Sequence, residues 1–288
     1  MLSASPALLR ELASYCHLAS APPPPPMYAP PDGALKLIHE AEAVESARAA
    51  DGESDDDGGV SSMGALYERA ATDGELLDSG AASLLAAIQP TESAVFADLG
   101  SGKGGAVFRV AASAEMAQCI GLELMGTKHK AALRTLEAVR PQLRTPTTLL
   151  QGDMLELASW ATSTDNDARF ADLTHAFSCS VCFDDFLLRR IAAALGDARV
   201  FPRLQSFVSL RELPSQPHLV RIGSVALDCS WRDGVPGHVY VPSDLVSRPE
   251  EAWKDSIPML SRFLCRGCTC ALPTALQWAD GTYVRLPK

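Results

Sequence analysis

Short apolar runs alternate with stretches that carry apolar residues at helical spacing. VFADL (Val95–Leu99), CIGLELM (Cys119–Met125), LLQGDML (Leu149–Leu155) and HAFSCSVCF (His175–Phe183) read as four successive strands. AVFRVAASAEM and KHKAALRTLEAVRPQL lie between them as helices, the second stopping near Pro141, and DDFLLRRIAAALG follows the fourth strand. RLQSFVSLREL is a fifth strand. LVRIGSVALDCSW and GHVYVPS then face each other across RDGVP, a hairpin signal. This pattern predicts an α/β fold: a doubly wound, mostly parallel, seven-stranded Rossmann-like sheet with a C-terminal antiparallel hairpin.

The first predicted strand ends in an acid and bends through glycines: Asp98, then Gly100, Ser101, Gly102, Gly104 and Gly105. Glycines there let the backbone approach a nucleotide-like ligand, because no Cβ stands in the way. Two templates fit. Gly100, Gly102 and Gly105 satisfy GxGxxG, the dinucleotide fingerprint. Asp98 with Gly100, Gly102 and Gly104 fits the DxGxGxG pattern of S-adenosylmethionine binders. A carboxylate at the strand tip sits badly beside a pyrophosphate but suits a sulfonium ligand carrying an ammonium. S-adenosyl-L-methionine is therefore the favoured cofactor, and the antiparallel hairpin argues the same way. Glu123 falls at the tip of the second strand, where a ribose-diol acceptor belongs. Asp153, at the tip of the third, can accept from an adenine amine. Singly, each acid would more often be a loop acid or an N-cap; together they mark a site.

At 288 residues with a 47% apolar fraction, the chain suits one large globular unit. No apolar run approaches the length of a membrane span, so no membrane partner is expected. The net charge of −10 and pI near 5.1 lack the footprint of a nucleic-acid binder, and suit a basic protein partner such as a histone. Acids crowd Asp32–Asp78, including DGESDDDGG, and PPPPP precedes them at Pro22–Pro26. Residues 1–60 are expected to be a disordered, acidic, Pro-rich segment with a short helix at Ala7–His17, residues 61–245 the catalytic domain, and 246–288 a C-terminal extension. The Ser/Ala-rich opening MLSASPALLR resembles a transit peptide, whereas Glu11 argues against one. Cys179 and Cys182 form one CxxC pair and Cys265 and Cys268 another. The first lies in a core-like run and the flanks are not knuckle-like, so no metal is expected.

Several of these segments converge on one family. VFADLGSGKGGAV, IGLEL, SVCFDDFL and SWRDGVPGHVYV resemble the Dot (disruptor of telomeric silencing) histone-lysine methyltransferases, which lack a SET domain, and the Dot-like proteins of algae and protists. Upstream, DGELLDSGAASLLAAI resembles that family's YGEL loop and following helix. The resemblance spans roughly 63–242. It implies a class I methyltransferase fold, a protein-lysine (histone) N-methyltransferase activity, and a nuclear setting; cytoplasm and organelles stay open as alternatives. By position, Glu75 is implied at the methionine end of the cofactor. Asp98, Gly100, Ser101, Gly102 and Gly104 would line it, with Glu123 at the ribose and Asp153 by the adenine. Phe183 and Trp231, joined by Tyr240, would wall a channel for the substrate lysine. Two positions depart from the pattern: Asp73 replaces a Tyr, and Cys179 falls where a polar Asn often stands. The competing readings are a methyltransferase for another protein or a small molecule, and a catalytically silent cofactor-binding module.

Overall fold

The central strand β1 (Val95–Leu99) is buried along all five residues, which requires cover on both faces. A computed structural model describes residues 28–50, 74–163, 167–246, 275–277 and 283–285. In it β2 (Gln118–Glu123) and β3 (Thr147–Gln151) extend the sheet in parallel on one side of β1. β4 (His175–Ser178) and β5 (Ser206–Ser209) extend it in parallel on the other. β6 (Leu219–Cys229) and β7 (Arg232–Pro242) form a hairpin, and β7 pairs antiparallel with β5. The sheet order is β3-β2-β1-β4-β5-β7-β6, the expected seven strands with the order of a class I methyltransferase sheet. Ala275–Gln277 and Tyr283–Arg285 pair as a further two-stranded sheet.

Strand pleating sorts the apolar residues into two cores. Phe96, Cys119, Phe177 and Val208 face helices α1 (Ala34–Ala50), α2 (Asp78–Ile88), α3 (Gly105–Ser113) and α4 (Gly126–Val139). Val95, Ala97, Leu99, Ile120 and Leu122 face α5 (Leu157–Thr162) and α6 (Asp185–Leu195). Either acid before the apolar run, Asp184 or Asp185, could cap α6 by position; the cap is Asp184, whose Oδ1 accepts from the Leu187 N–H at 2.8 Å.

Three expectations are corrected. First, disorder through residue 60 does not hold for Ala34–Ala50, which forms α1 against α3 and α4. Ala34 and Ile38 are buried, and one turn further the same face presents acids with partners. Glu42 takes both ends of the Arg109 guanidinium at 2.6 and 2.8 Å, and Asp78 takes its Nε at 2.8 Å. Glu45 is gripped by Arg134 of α4 at 2.6 Å, and that hydrogen bond holds its carboxyl below the usual range. The acids are counter-charges and not solvent-facing repulsion. Residues 1–27 and 51–60 of that segment, with the Ala7–His17 helix, and Asp73 and the second CxxC pair lie outside the described residues. Second, β4 stops at Ser178, because the Ser178 hydroxyl turns back to the Leu99 carbonyl at 2.7 Å. Third, the hairpin turns at Ser230–Trp231, not at RDGVP. Gly234, at φ +63, instead makes a bulge within β7, and its N–H reaches the Asp228 carboxylate at 2.9 Å.

Removing residues 1–58 deletes Glu42 and Glu45. It leaves Arg109, 3% exposed, with the Asp78 carboxylate on its Nε and both terminal nitrogens stripped of Glu42. Breaking a buried ion pair from one side costs about 3 kcal/mol or more. The truncated protein should therefore melt about 6–12 °C lower, readable by differential scanning calorimetry.

Candidate cofactor and substrate site

The turn after β1 folds back on β2. Both the Gly100 and Ser101 N–H groups donate to the Leu122 carbonyl, at 2.9 and 3.0 Å. Gly100, Gly102 and Gly104 have φ of +84°, +55° and +89°, a left-handed backbone that glycine adopts without strain. At Gly100 the need is also steric: a Cβ there would stand 3.2 Å from Phe183 Cζ and 3.4 Å from Met154 Cε. α3 then starts at Gly105 with its N-terminus at the turn.

The three strand-tip acids differ sharply in state. Asp98 is 3% exposed, and its Oδ1 has no hydrogen-bond partner. Burial, with Glu123's charge adding, pushes its carboxyl up to about 8. Glu123 is buried but satisfied: it accepts from the Gly102 N–H at 2.7 Å and the Met125 N–H at 2.8 Å, locking both loops around it. Asp153 lies beyond the end of β3 and caps a short 3-10 helix through the Leu155 N–H at 2.8 Å. An acid orphaned in a dry pocket is a ready acceptor for a cationic donor, and a ligand ammonium would satisfy it.

Glu75 stands in a segment that runs antiparallel past the end of β6. Its N–H donates to Ser230 Oγ at 3.1 Å, and its carbonyl accepts from the Ser230 N–H at 2.8 Å. The Trp231 ring lies against Gly74, where a Cβ would come within 2.3 Å of it. Position 74 therefore has room only for glycine. Trp231 itself stays 44% exposed at the hairpin tip, a stacked but accessible aromatic. Cys179 donates its thiol to the Gly74 carbonyl at 3.4 Å, tying the loop after β4 to the Glu75 loop. Burial pushes that thiol up, so it is not a nucleophile.

Phe183 is half-buried over the glycine turn. Its carbonyl accepts from Arg211 Nη1, whose Nη2 also holds Asp185 at 2.5 Å. Ser180 and Ser209 share a 2.6 Å hydroxyl bond beneath that loop. Arg211, Ser180 and Ser209 were not singled out from sequence; nothing in their local pattern marks them. Arg109 was also missed, but it had a signal: one charge in a nine-residue helix that is otherwise apolar, small or hydroxylated. Tyr240 is not brought to this mouth. It is 3% exposed in the core on the α6 side, and its hydroxyl accepts from the Leu213 N–H at 2.8 Å. Among the described residues no group of His, Cys, Asp and Glu side chains comes together to hold a metal ion.

Residues 67–146 match the family model for the histone methylation protein DOT1. The matched span carries Glu75, Asp98, the glycine turn and Glu123, and the Dot resemblance read from the motifs is borne out over it. Asp153, Phe183, Trp231 and Tyr240 lie beyond it. No curated protein sequence matches the chain. Among solved structures, TrmN from Thermus thermophilus aligns at 15% identity and TM-score 0.43, over 61% of this chain and 52% of that one. M. capricolum TrmK, solved with S-adenosyl-homocysteine, aligns at 9% identity and TM-score 0.39, over 54% and 64%. Aeropyrum pernix fibrillarin, solved with S-adenosyl-L-methionine, aligns at 12% identity and TM-score 0.36, over 54% and 68%. The chain thus spans less than two thirds of TrmN and of TrmK.

The orphaned carboxylate has a measurable signature. A folded-state value near 8, above the unfolded Asp value, means that the native state binds the proton more tightly. Asp98 therefore removes stability as pH rises from about 4 towards 8. Asp98→Asn, which cannot ionise, should melt close to the parent at about pH 4, below the onset of that loss. It should gain on it steadily up to pH 8, by on the order of 5 kcal/mol at most, in a pH series of thermal melts.

Proposed function

We propose that this protein is an S-adenosyl-L-methionine-dependent methyltransferase whose acceptor is a lysine amine of a protein, a histone in the first instance. The observation that carries the cofactor reading is the Asp98 carboxylate, buried without a partner for Oδ1 beside the glycine turn. A nicotinamide dinucleotide would bring a pyrophosphate anion to that turn, beside two buried acids, where like charges repel. S-adenosyl-L-methionine, when bound, supplies an electrophilic methyl on a sulfonium.

In this reading Asp98 and Glu75 accept the ammonium of the methionine end. Gly100 gives close backbone approach, Ser101, Gly102 and Gly104 complete the turn, Glu123 takes the ribose diol, and Asp153 faces the adenine amine. Phe183 and Trp231 exclude water from the reacting end and favour an uncharged amine, because burying an ammonium between aromatic faces without a counter-ion is costly. No general base is needed in such a channel; alignment does the main work and can be worth ~7–11 kcal/mol. Tyr240 is left out of the channel, since its hydroxyl is committed to the Leu213 backbone. The chain's acidity supports a basic polypeptide as acceptor.

One observation favours a second acceptor class. The family's polar Asn is Cys179 here, with its thiol turned to Gly74, and the neighbouring Ser178 and Ser180 hydroxyls are bonded elsewhere. The amine therefore has no obvious polar guide at that point, and a different protein or a small molecule is the alternative acceptor.

Equilibrium binding of S-adenosyl-L-methionine against a nicotinamide dinucleotide tests the cofactor. The former should bind at least tenfold more tightly. Radiolabelled methyl transfer to a histone and nucleosome panel, against free amines, should place the label in protein; label in small amines alone overturns the lysine reading.

Trp231→Ala separates channel from core. Because Trp231 is 44% exposed, its loss should shift melting by only ~2 °C and cofactor affinity by less than about threefold. Methyl transfer should fall on the order of 100-fold, as expected for a nucleophile misplaced by ~1 Å.

A further inference from the structure

α1 lies upstream of the span that matches the DOT1 model, yet it reaches the candidate cofactor site. The contact point is Gly105, the first residue of α3. A Cβ at Gly105 would stand 2.8 Å from Arg109 Nη1, 3.0 Å from Glu42 Oε1 and 3.6 Å from Glu75 Cδ. A guanidinium and two carboxylates thus surround one point at the mouth of the glycine turn. A third carboxylate, Asp78, holds the same guanidinium from α2. We infer that Glu42 of α1 and Arg109 of α3 are positioning residues for Glu75, and that α1 is a structural part of the cofactor site. The inference rests on the reading of that site as a cofactor cradle.

The physical reason is competition for one cation. Arg109 is buried and must keep its charge paired. Glu42 occupies both of its terminal nitrogens with a two-pronged grip at 2.6 and 2.8 Å. That grip aims the guanidinium at α1 while Glu75 stands just across Gly105. Without the Glu42 charge, the carboxylates left around those nitrogens are Asp78, already on Nε, and Glu75, across Gly105. Glu75 would then be drawn on to Arg109 and away from a ligand ammonium. The Glu75 backbone does not move in this exchange, because Ser230 holds it on both its N–H and its carbonyl. Only the carboxylate swings.

Glu45 provides the control. It anchors the same helix through Arg134 at 2.6 Å, and the Cβ space over Gly105 does not include it. The unsubstituted protein, Glu42→Gln, Glu45→Gln, Glu75→Gln and the Glu42→Gln/Glu75→Gln double variant are compared by calorimetric titration with S-adenosyl-L-methionine and by thermal melts. Both single α1 variants should melt lower. Glu42→Gln alone should weaken cofactor binding, by about tenfold, the scale of one lost charge-assisted bond. In the Glu75→Gln background the Glu42→Gln effect should shrink to less than about twofold. If Glu42→Gln does not fold, Glu42→Asp, which keeps the charge but shortens the reach, should show the same selective loss in smaller measure. Equal loss of affinity in Glu42→Gln and Glu45→Gln, or an effect that persists undiminished in the Glu75→Gln background, overturns the inference. Absence of binding by the unsubstituted protein overturns the cofactor reading itself, and the inference with it.

Discussion

One guanidinium organises this molecule. Arg109 lies at 3% exposure within a helix whose every residue is buried, where an unpaired charge would be prohibitive. Its three hydrogen bonds recruit Glu42 from α1 and Asp78 from α2. Those two helices cover the α3 face of the sheet, and the loop that carries Glu75 leads directly into the second. The same interaction therefore closes one core, holds an N-terminal helix in place and sets the entry to the candidate site. Buried ion pairs of this kind add little net stability over an apolar substitute, but they specify geometry, because only one arrangement satisfies every charge.

The site itself is assembled against local stability. Asp98 is buried with an oxygen unsatisfied, and Glu123 raises its cost further. A left-handed backbone at Gly100, Gly102 and Gly104, a Phe183 ring over Gly100 and a Trp231 ring against Gly74 disfavour side chains at those glycines. Features that cost local stability persist only where the surrounding structure over-determines them, and a rigid shell does so here. Here that shell is the Glu123 carboxylate bridging two loops, and the Ser180, Ser209 and Arg211 group under Phe183.

Much of this was legible in the chain. A central strand buried on both faces reads as an unbroken apolar run, and the glycine turn after it has few alternatives. Three acids fall at or just past successive strand tips, and the hairpin's alternation marks the antiparallel end of the sheet. These signals are local, so the sequence carries them openly. Boundaries were less legible. Asp-Gly in RDGVP reads as a turn, yet a left-handed glycine serves a bulge equally well, and only the register between β6 and β7 separates the two uses. HAFSCSVCF reads as one long strand, but serine hydroxyls bonding across to other strands end it early.

By itself the sequence determined the fold class, the place of the glycine turn, the three strand-tip acids and that an acid, Asp184 or Asp185, caps α6. Periodicity and turn chemistry act between neighbours along the chain, so no partner need be known. Only the tertiary structure decided which charges meet. An acidic stretch reads as disorder until Arg109 and Arg134 are seen to receive Glu42 and Glu45. Trp231 and Tyr240 are both aromatic and close in sequence. One stands at the hairpin tip against Gly74, and the other is sealed in the core with its hydroxyl on the Leu213 backbone. Composition assigns a residue its chemistry, but the environment that gives the chemistry a use is made by segments far apart in the chain.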